Sequence, residues 1–333
     1  MSGADQMMLD SVPKLGWGKN RECTFLGALE AALAVTDHPC TYSDLMGWSG
    51  MAFRVRWFAG NENSRWCGSS AVAEMEEEIA ATANATGWPL RVEFLDAGNS
   101  EALERYAANV VASINSGRPV LAYEPKLNMD VVFGYEEGGK LLLLRDYFQP
   151  DEPVRLAPSG LGFLSFFIGE HGEGLSPHEG LLEALRIAVR NWHRERFSEG
   201  PGEYWYGKAA LTRWINDLGE ASGFTPEEQG NLCFVSRWSF SSMHDARKAA
   251  VTFLREHAPL LKDTAAQAVL RAAEIYEREV ELLDSASASK DAFVSSDVGQ
   301  WSPEMRQREI EILTRAKEIE EEAIAEIERA LKS

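Results

Sequence analysis

Cys23 is the residue of this chain best placed for covalent chemistry. It stands where a polar loop, residues 16–22, gives way to an apolar run. Between positions 25 and 35 only Gly27 and Glu30 interrupt Phe, Leu, Ala and Val. A helix that is apolar nearly all round is a buried one. A cysteine at the start of such a helix meets unpaired N–H groups and the positive end of the dipole, and both favour the thiolate. A thiolate so placed can attack a carbonyl, as in acyl transfer or amide hydrolysis. The competing reading is a small core residue at a helix start.

Other residues could serve or surround such a centre. Asp146 closes the apolar strand predicted over 140–147. Arg54 and Arg56 share one face of a strand predicted over 51–58, where they could bind a carboxylate or phosphate or form a solvated face. Residues 234–247 gather Arg237, Trp238, His244, Asp245 and Arg247. That group could line a substrate pocket, or hold helices together through Arg–Asp pairs. Of six histidines, His38 falls at the far end of the Cys23 helix, roughly 20 Å away at 1.5 Å per residue. His178, His193 and His257 read as helix positions, leaving His171 and His244 able to approach a cleft. There is no Walker loop, GxGxxG or HExxH, and the four cysteines show no CxxC spacing. Neither a cofactor nor a metal is expected.

A net charge of −19 would repel nucleic acid and anionic membrane. No run of 18 apolar residues exists, and residues 1–14 carry no apolar signal segment. The expectation is a cytoplasmic protein with reduced thiols. Residues 1–15 read as a flexible arm. After the Cys23 helix come a short helix from Ser43 or Asp44, a helix from Ser69 or Ser70 closed by Gly87, and a strand over 88–95. A helix capped by Asn99 or Ser100 follows, then strands over 118–124, 128–135 and 140–147. The last two form a hairpin. Another strand fits 162–168. Beyond 171 the pattern is helical, over about 177–197, 204–219, 226–232, 243–257, 263–285 and 303–332. Ser176-Pro177 and Thr225-Pro226 open capping boxes. The last two helices predict an antiparallel pair.

ECTFLGALEAAL (22–33), LMGWSGMAF (45–53) and VVFGYEEGGKLLLLRDYF (131–148) together resemble the N-terminal domain of butirosin biosynthesis protein H. HDARKAAVTFLREHA (244–258) is similar to the helical domain that often follows it. The resemblance implies a papain-like cysteine-peptidase fold, related to C39-like peptidases. It also implies acyl transfer or hydrolysis by a thiolate, a histidine base and an orienting carboxylate. By position Cys23 matches the nucleophile and Asp146 the orienting residue, and Asn20 could assist the oxyanion. The histidine should stand six residues before Gly134. That position is Asn128, and asparagine cannot titrate. Asp130 is nearby, but a carboxylate near pKa 4 is a poor base for a thiol unless burial raises it.

The combined expectation is an α+β fold: a papain-like domain over 1–171, then an all-α domain over 172–333. One function is a cysteine-dependent acyltransferase or hydrolase acting on a small molecule or carrier-bound acyl group, with Arg54, Arg237 and His244 at the substrate. The alternative is a catalytically degenerate relative that binds a ligand or partner. The long C-terminal helix offers a surface for a homodimer.

Overall fold

The computed structural model describes residues 5–16, 19, 21–61, 64–68, 75–124, 128–148, 151–199, 202–288 and 301–333. The chain divides into two compact units. The first comprises residues 1–45 and 75–175, the second residues 46–74 and 176–333. The expected boundary near 172 lies three residues before the second crossing point. Residues 46–74, expected in the first domain, join the second.

The first unit is built on an antiparallel sheet. In chain order its strands are β1 (Met7–Met8), β3 (Leu90–Phe94), β4 (Val120–Tyr123), β5 (Met129–Glu136), β6 (Leu141–Arg145), β7 (Val154–Leu156) and β8 (Leu164–Ile168). The spatial order is β3-β8-β4-β5-β6-β7, with β1 also on β5. Its main helices are α1 (Thr24–Leu33) and α4 (Ser100–Asn115), the latter capped by the Asn99 side chain. Helix α2 (Tyr42–Trp48) spans the first crossing point, and a short α3 (Ala80–Thr86) continues a π-helical turn over Met75–Ile79. The expected helix start at Ser69 or Ser70 lies outside the described residues. Neighbouring residues of β8 show how the sheet is covered. Phe166 meets Phe25 of α1 at 5.0 Å between ring centroids. Phe167 joins Val120, Ala122 and Val132 in the cluster under Tyr106, Val110 and Ile114 of α4. Successive strand residues point to opposite faces, so α1 and α4 cover opposite sides of the sheet.

Residues 5–15, expected to be part of a flexible arm, include a strand. Met7 and Met8 pair with Tyr135 and Gly134. The physical reason is strand length: β5 has eight residues and β4 only four, so β1 takes up the part of the β5 ladder that β4 leaves open. The approach is close. A Cβ at Gly134 would lie 2.7 Å from the Met7 carbonyl oxygen, so this position needs glycine.

The second unit is mostly helical, with α5 (Pro177–His193), α6 (Gly207–Glu220), α7 (Pro226–His257), α8 (Asp263–Ala288) and α9 (Pro303–Lys332). It is not all-α. Strands β2 (Arg56–Phe58), β9 (Arg196–Glu199) and β10 (Gly202–Tyr206) form a small antiparallel sheet in the order β2-β10-β9. Residues 196–197 and 204–206, read as helix ends, belong to β9 and β10, which pair with each other, and β2 pairs with the aromatic run Tyr204–Tyr206. The two helices expected over 226–257 are one. The serines between them do not break it: Ser242 Oγ donates to the Trp238 carbonyl at 2.8 Å, and Ser236 Oγ accepts from Trp214 Nε1 at 2.6 Å. Helices α8 and α9 run antiparallel, tied by Arg271–Glu326 at 2.9 Å and Arg278–Glu322 at 2.5 Å. The Ile312, Ala316, Ile319, Ala323, Ile327 and Ala330 stripe is buried. No helix among the described residues is long and apolar enough to cross a membrane.

Candidate functional site

Cys23 is the N-cap of α1, in extended conformation (φ −79°, ψ 94°), and its side chain does not cap the helix. It is 4% exposed. Behind it, eight of the ten residues of α1 are buried. Transfer of that apolar surface out of water fixes the helix against β5 and therefore fixes the cysteine. No disulfide involves Cys23, Cys40, Cys67 or Cys233. Burial raises the Cys40 and Cys233 thiols to about 11, with help from Asp44 and Glu309 respectively.

A polar bracket holds the start of the helix. Glu30, the one charged residue of α1, takes a two-pronged contact from Arg21: Nε to Oε2 at 2.6 Å and Nη2 to Oε1 at 2.9 Å. It also accepts the Tyr42 backbone N–H at 3.0 Å. Arg21 lies over the Tyr42 ring at 5.4 Å. The Tyr42 hydroxyl accepts the Cys23 backbone N–H at 3.1 Å. In a cysteine acyl-transfer site the nucleophile's own amide is an oxyanion donor. Here a tyrosine oxygen takes it. Sequence reading missed Tyr42, Arg21 and Glu30. The available signal was a single carboxylate inside an otherwise apolar helix, which requires a partner.

The strand side of the site is equally engaged. Thr24 Oγ1 accepts the Met129 N–H at 3.2 Å, and the Tyr147 hydroxyl donates to the Thr24 carbonyl at 3.4 Å. Tyr147 also needs Gly27, because a Cβ there would lie 2.3 Å from its hydroxyl oxygen. Asn128, at the position expected for histidine, is 8% exposed. Its Nδ2 and its backbone N both donate to Glu124 Oε1 at 3.1 Å. Glu124 is a further residue that sequence reading missed. Asp146 is 7% exposed, and its Oδ1 accepts the Phe148 N–H at 3.0 Å, so it caps its own turn. Asp130 is buried beside Ala122 in the β4–β5 ladder. Asn20 lies outside the described residues.

The first unit contains two histidines, and they engage each other. His38 and His171 stack at 3.8 Å, with Trp88 4.8 Å from His171. His171 Nε2 lies 3.2 Å from the Thr86 carbonyl oxygen. This cluster follows the Ile168 end of β8, whereas Thr24 and Met129 lie at the end where β4 finishes in Tyr123. The reading of His171 as able to approach the cleft is therefore corrected: its ring stacks on His38 at the other end of the sheet.

The expected substrate residues belong to the second unit. Arg54 and Arg56 do not form a solvated face: they are 6% and 4% exposed. Residues 51–53 form a 3-10 turn, and β10 covers β2, with Arg56 over the Tyr204 ring at 4.3 Å. Arg237 and His244 are carried by α7. His244 Nε2 contacts Asp284 Oδ1 at 2.8 Å, and Lys248 reaches the same oxygen at 3.5 Å. Burial, then Lys248, lowers the His244 pKa below its usual value, against the pull of Asp284.

Searches of family models and of curated proteins both return no match for this chain.

Proposed function

We propose that this chain is a papain-like protein of the butirosin biosynthesis protein H type that keeps the cysteine-led helix without Cys–His catalysis. Its first unit then serves to bind a small-molecule or carrier-linked acyl ligand, in a cytoplasmic setting that keeps Cys23 reduced. The observation that carries this reading is the fate of the imidazoles. The two histidines of the unit stack on each other, and the base position holds Asn128, whose amide is spent on Glu124. Asparagine cannot take a proton from a thiol, so position 128 supplies no general base. The Cys23 amide bonded to Tyr42 supports the same reading.

A second reading is an acyltransferase or thioester hydrolase with another base. The position of Cys23 favours it, since the thiol heads a buried helix without acting as its cap. Incubation with an acyl thioester, followed by intact-mass analysis, separates the two. The first reading expects no acyl adduct on Cys23 and no thiol release above that of Cys23→Ser. A burst of thiol release with an acyl adduct, both absent in Cys23→Ser, would establish the second.

A further inference from the structure

The second unit encloses a charged cluster that the proposed function does not use. Arg247 of α7, Tyr276 and Glu279 of α8 and Glu320 of α9 are all 0% exposed. Arg247 Nε donates to Glu320 Oε1 at 2.6 Å, and Nη2 reaches the same oxygen. Its Nη1 donates to the Ala52 carbonyl at 2.7 Å, and Nε lies 3.5 Å from Glu279 Oε2. Arg247 therefore ties residues 51–53 to three helices. Both Glu279 oxygens and Glu320 Oε2 lack a hydrogen-bond donor. The two carboxyl groups converge on one N–H, because Arg247 Nε lies 2.6 Å from Glu320 Oε1 and 3.5 Å from Glu279 Oε2.

Two carboxylates and one guanidinium sealed from water would leave a net negative charge, which a buried site does not tolerate. Two facing carboxylates also have no hydrogen between them. One proton removes both difficulties: it neutralises the excess charge and turns a repulsion into an O–H···O⁻ bond. From this we propose that Glu279 and Glu320 share one proton at neutral pH, and that this proton locks α7, α8, α9 and residues 51–53 together. Losing it to hydroxide opens the lock, so the second unit is a proton-dependent closure.

Two further buried charged groups, Arg54 next to residues 51–53 and Asp245 on α7, carry opposite charges and leave the count unchanged. Arg247 and, two residues before it, Asp245 are the buried charged groups of this stretch of α7. Tyr276 faces Glu320 from α8, where burial holds its hydroxyl protonated. Residues 51–53 bring the Ala52 carbonyl and the Phe53 ring, 6.0 Å from Tyr276. Farther out, His244 and Lys248 pair with Asp284, and Arg278 pairs with Glu322. Burial holds Glu279 and Glu320 above the usual carboxylate range, against the pull of Arg247.

Folding therefore takes up a proton that the unfolded chain has released. The folding constant should fall up to tenfold per pH unit as pH rises above the unfolded carboxylate pKa, until the folded pKa is passed. The test compares the full chain with Glu279→Gln, whose amide donates to Glu320 without titrating. Urea denaturation at pH 6 to 9 is read alongside the infrared carboxylic-acid band. Glu309, which burial raises to about 7, is replaced by Gln in both proteins so that it does not contribute. The proposal expects an acid band that Glu279→Gln removes, and a pH slope that flattens by up to tenfold per unit. An acid band unchanged by Glu279→Gln, or equal slopes in the two proteins, would overturn it. If Glu279→Gln fails to fold, absence of the acid band from the Glu309→Gln parent at pH 7 is enough to overturn it.

Discussion

The two units bury polar groups in different ways. In the first, Tyr42, Thr24, Asn128, Glu124 and Asp146 gather where α1 begins and where β4, β5 and β6 start or stop. These are chain ends, where backbone groups lack ladder or helix partners and side chains complete the count. In the second, Arg247, Glu279 and Glu320 sit within long helices, far from any terminus, while Asp217 lies in the last turn of α6. Asp217 accepts Trp57 Nε1 at 2.8 Å and Trp66 Nε1 at 2.9 Å. These residues bond one element to another. The contrast separates a site from a clamp. Polar groups at element ends surround a reactive side chain, whereas polar groups at mid-helix hold the scaffold.

Arg247→Ala strands two buried carboxyl groups and should cost the second unit about 3–5 kcal/mol in urea denaturation. Cys23 alkylation should not change, and a change would mean the clamp and the site are one system. Asp217→Ala should cost about 1–3 kcal/mol for each of the two indole donors it strands, read by tryptophan fluorescence. In the first unit, Gly27→Ala forces Tyr147 away from α1 and should cost about 1–3 kcal/mol, with faster alkylation of Cys23 as the helix start loosens. Thr24→Val removes the acceptor of the Met129 N–H and should cost about 1 kcal/mol. The smallest effect concerns pH. The folded pKa of His244 lies below its usual 6.5, so the neutral ring stabilises the second unit above that pH. Stability should decline as pH falls from there through the folded pKa, and His244→Gln should remove that part of the decline.

Much of this architecture can be read in the chain. The 25–35 apolar run, the Asn99 cap, the paired strands over 128–147 and the Ser176 and Thr225 capping boxes each carry a local physical signal, and each is where expected. Other features carry none. Residues 51–58 alternate like a two-faced strand, but only 56–58 pair, and both faces are covered by residues some 150 positions later. Met7 and Met8 read as polar-flanked and loose because their partner is a gap left by a short β4. The helix-spanning 226–257 run contains a serine cluster that imitates a loop until Ser236 and Ser242 find partners. At the site, Cys23 was legible from its position before an apolar run. Tyr42 and Glu124 were not, because each acts through one hydrogen bond fixed only by the fold.

Asn128→His sharpens the account further by restoring an imidazole at the base position. It should speed Cys23 alkylation at pH 7 if position 128 faces the thiol, and leave it unchanged if the new ring pairs with Glu124 alone. The most direct test of the central claim is the pH dependence of Cys23 alkylation by iodoacetamide. It should be measured in a Cys67→Ser background, because Cys67 is exposed, with Cys23→Ser as control. If the proposed function holds and Cys23 has no histidine base, its thiol pKa should lie at or above the ordinary value of about 8.5, with slow reaction in the folded protein. A pKa well below 7 that disappears in Cys23→Ser would contradict it and identify an activated nucleophile.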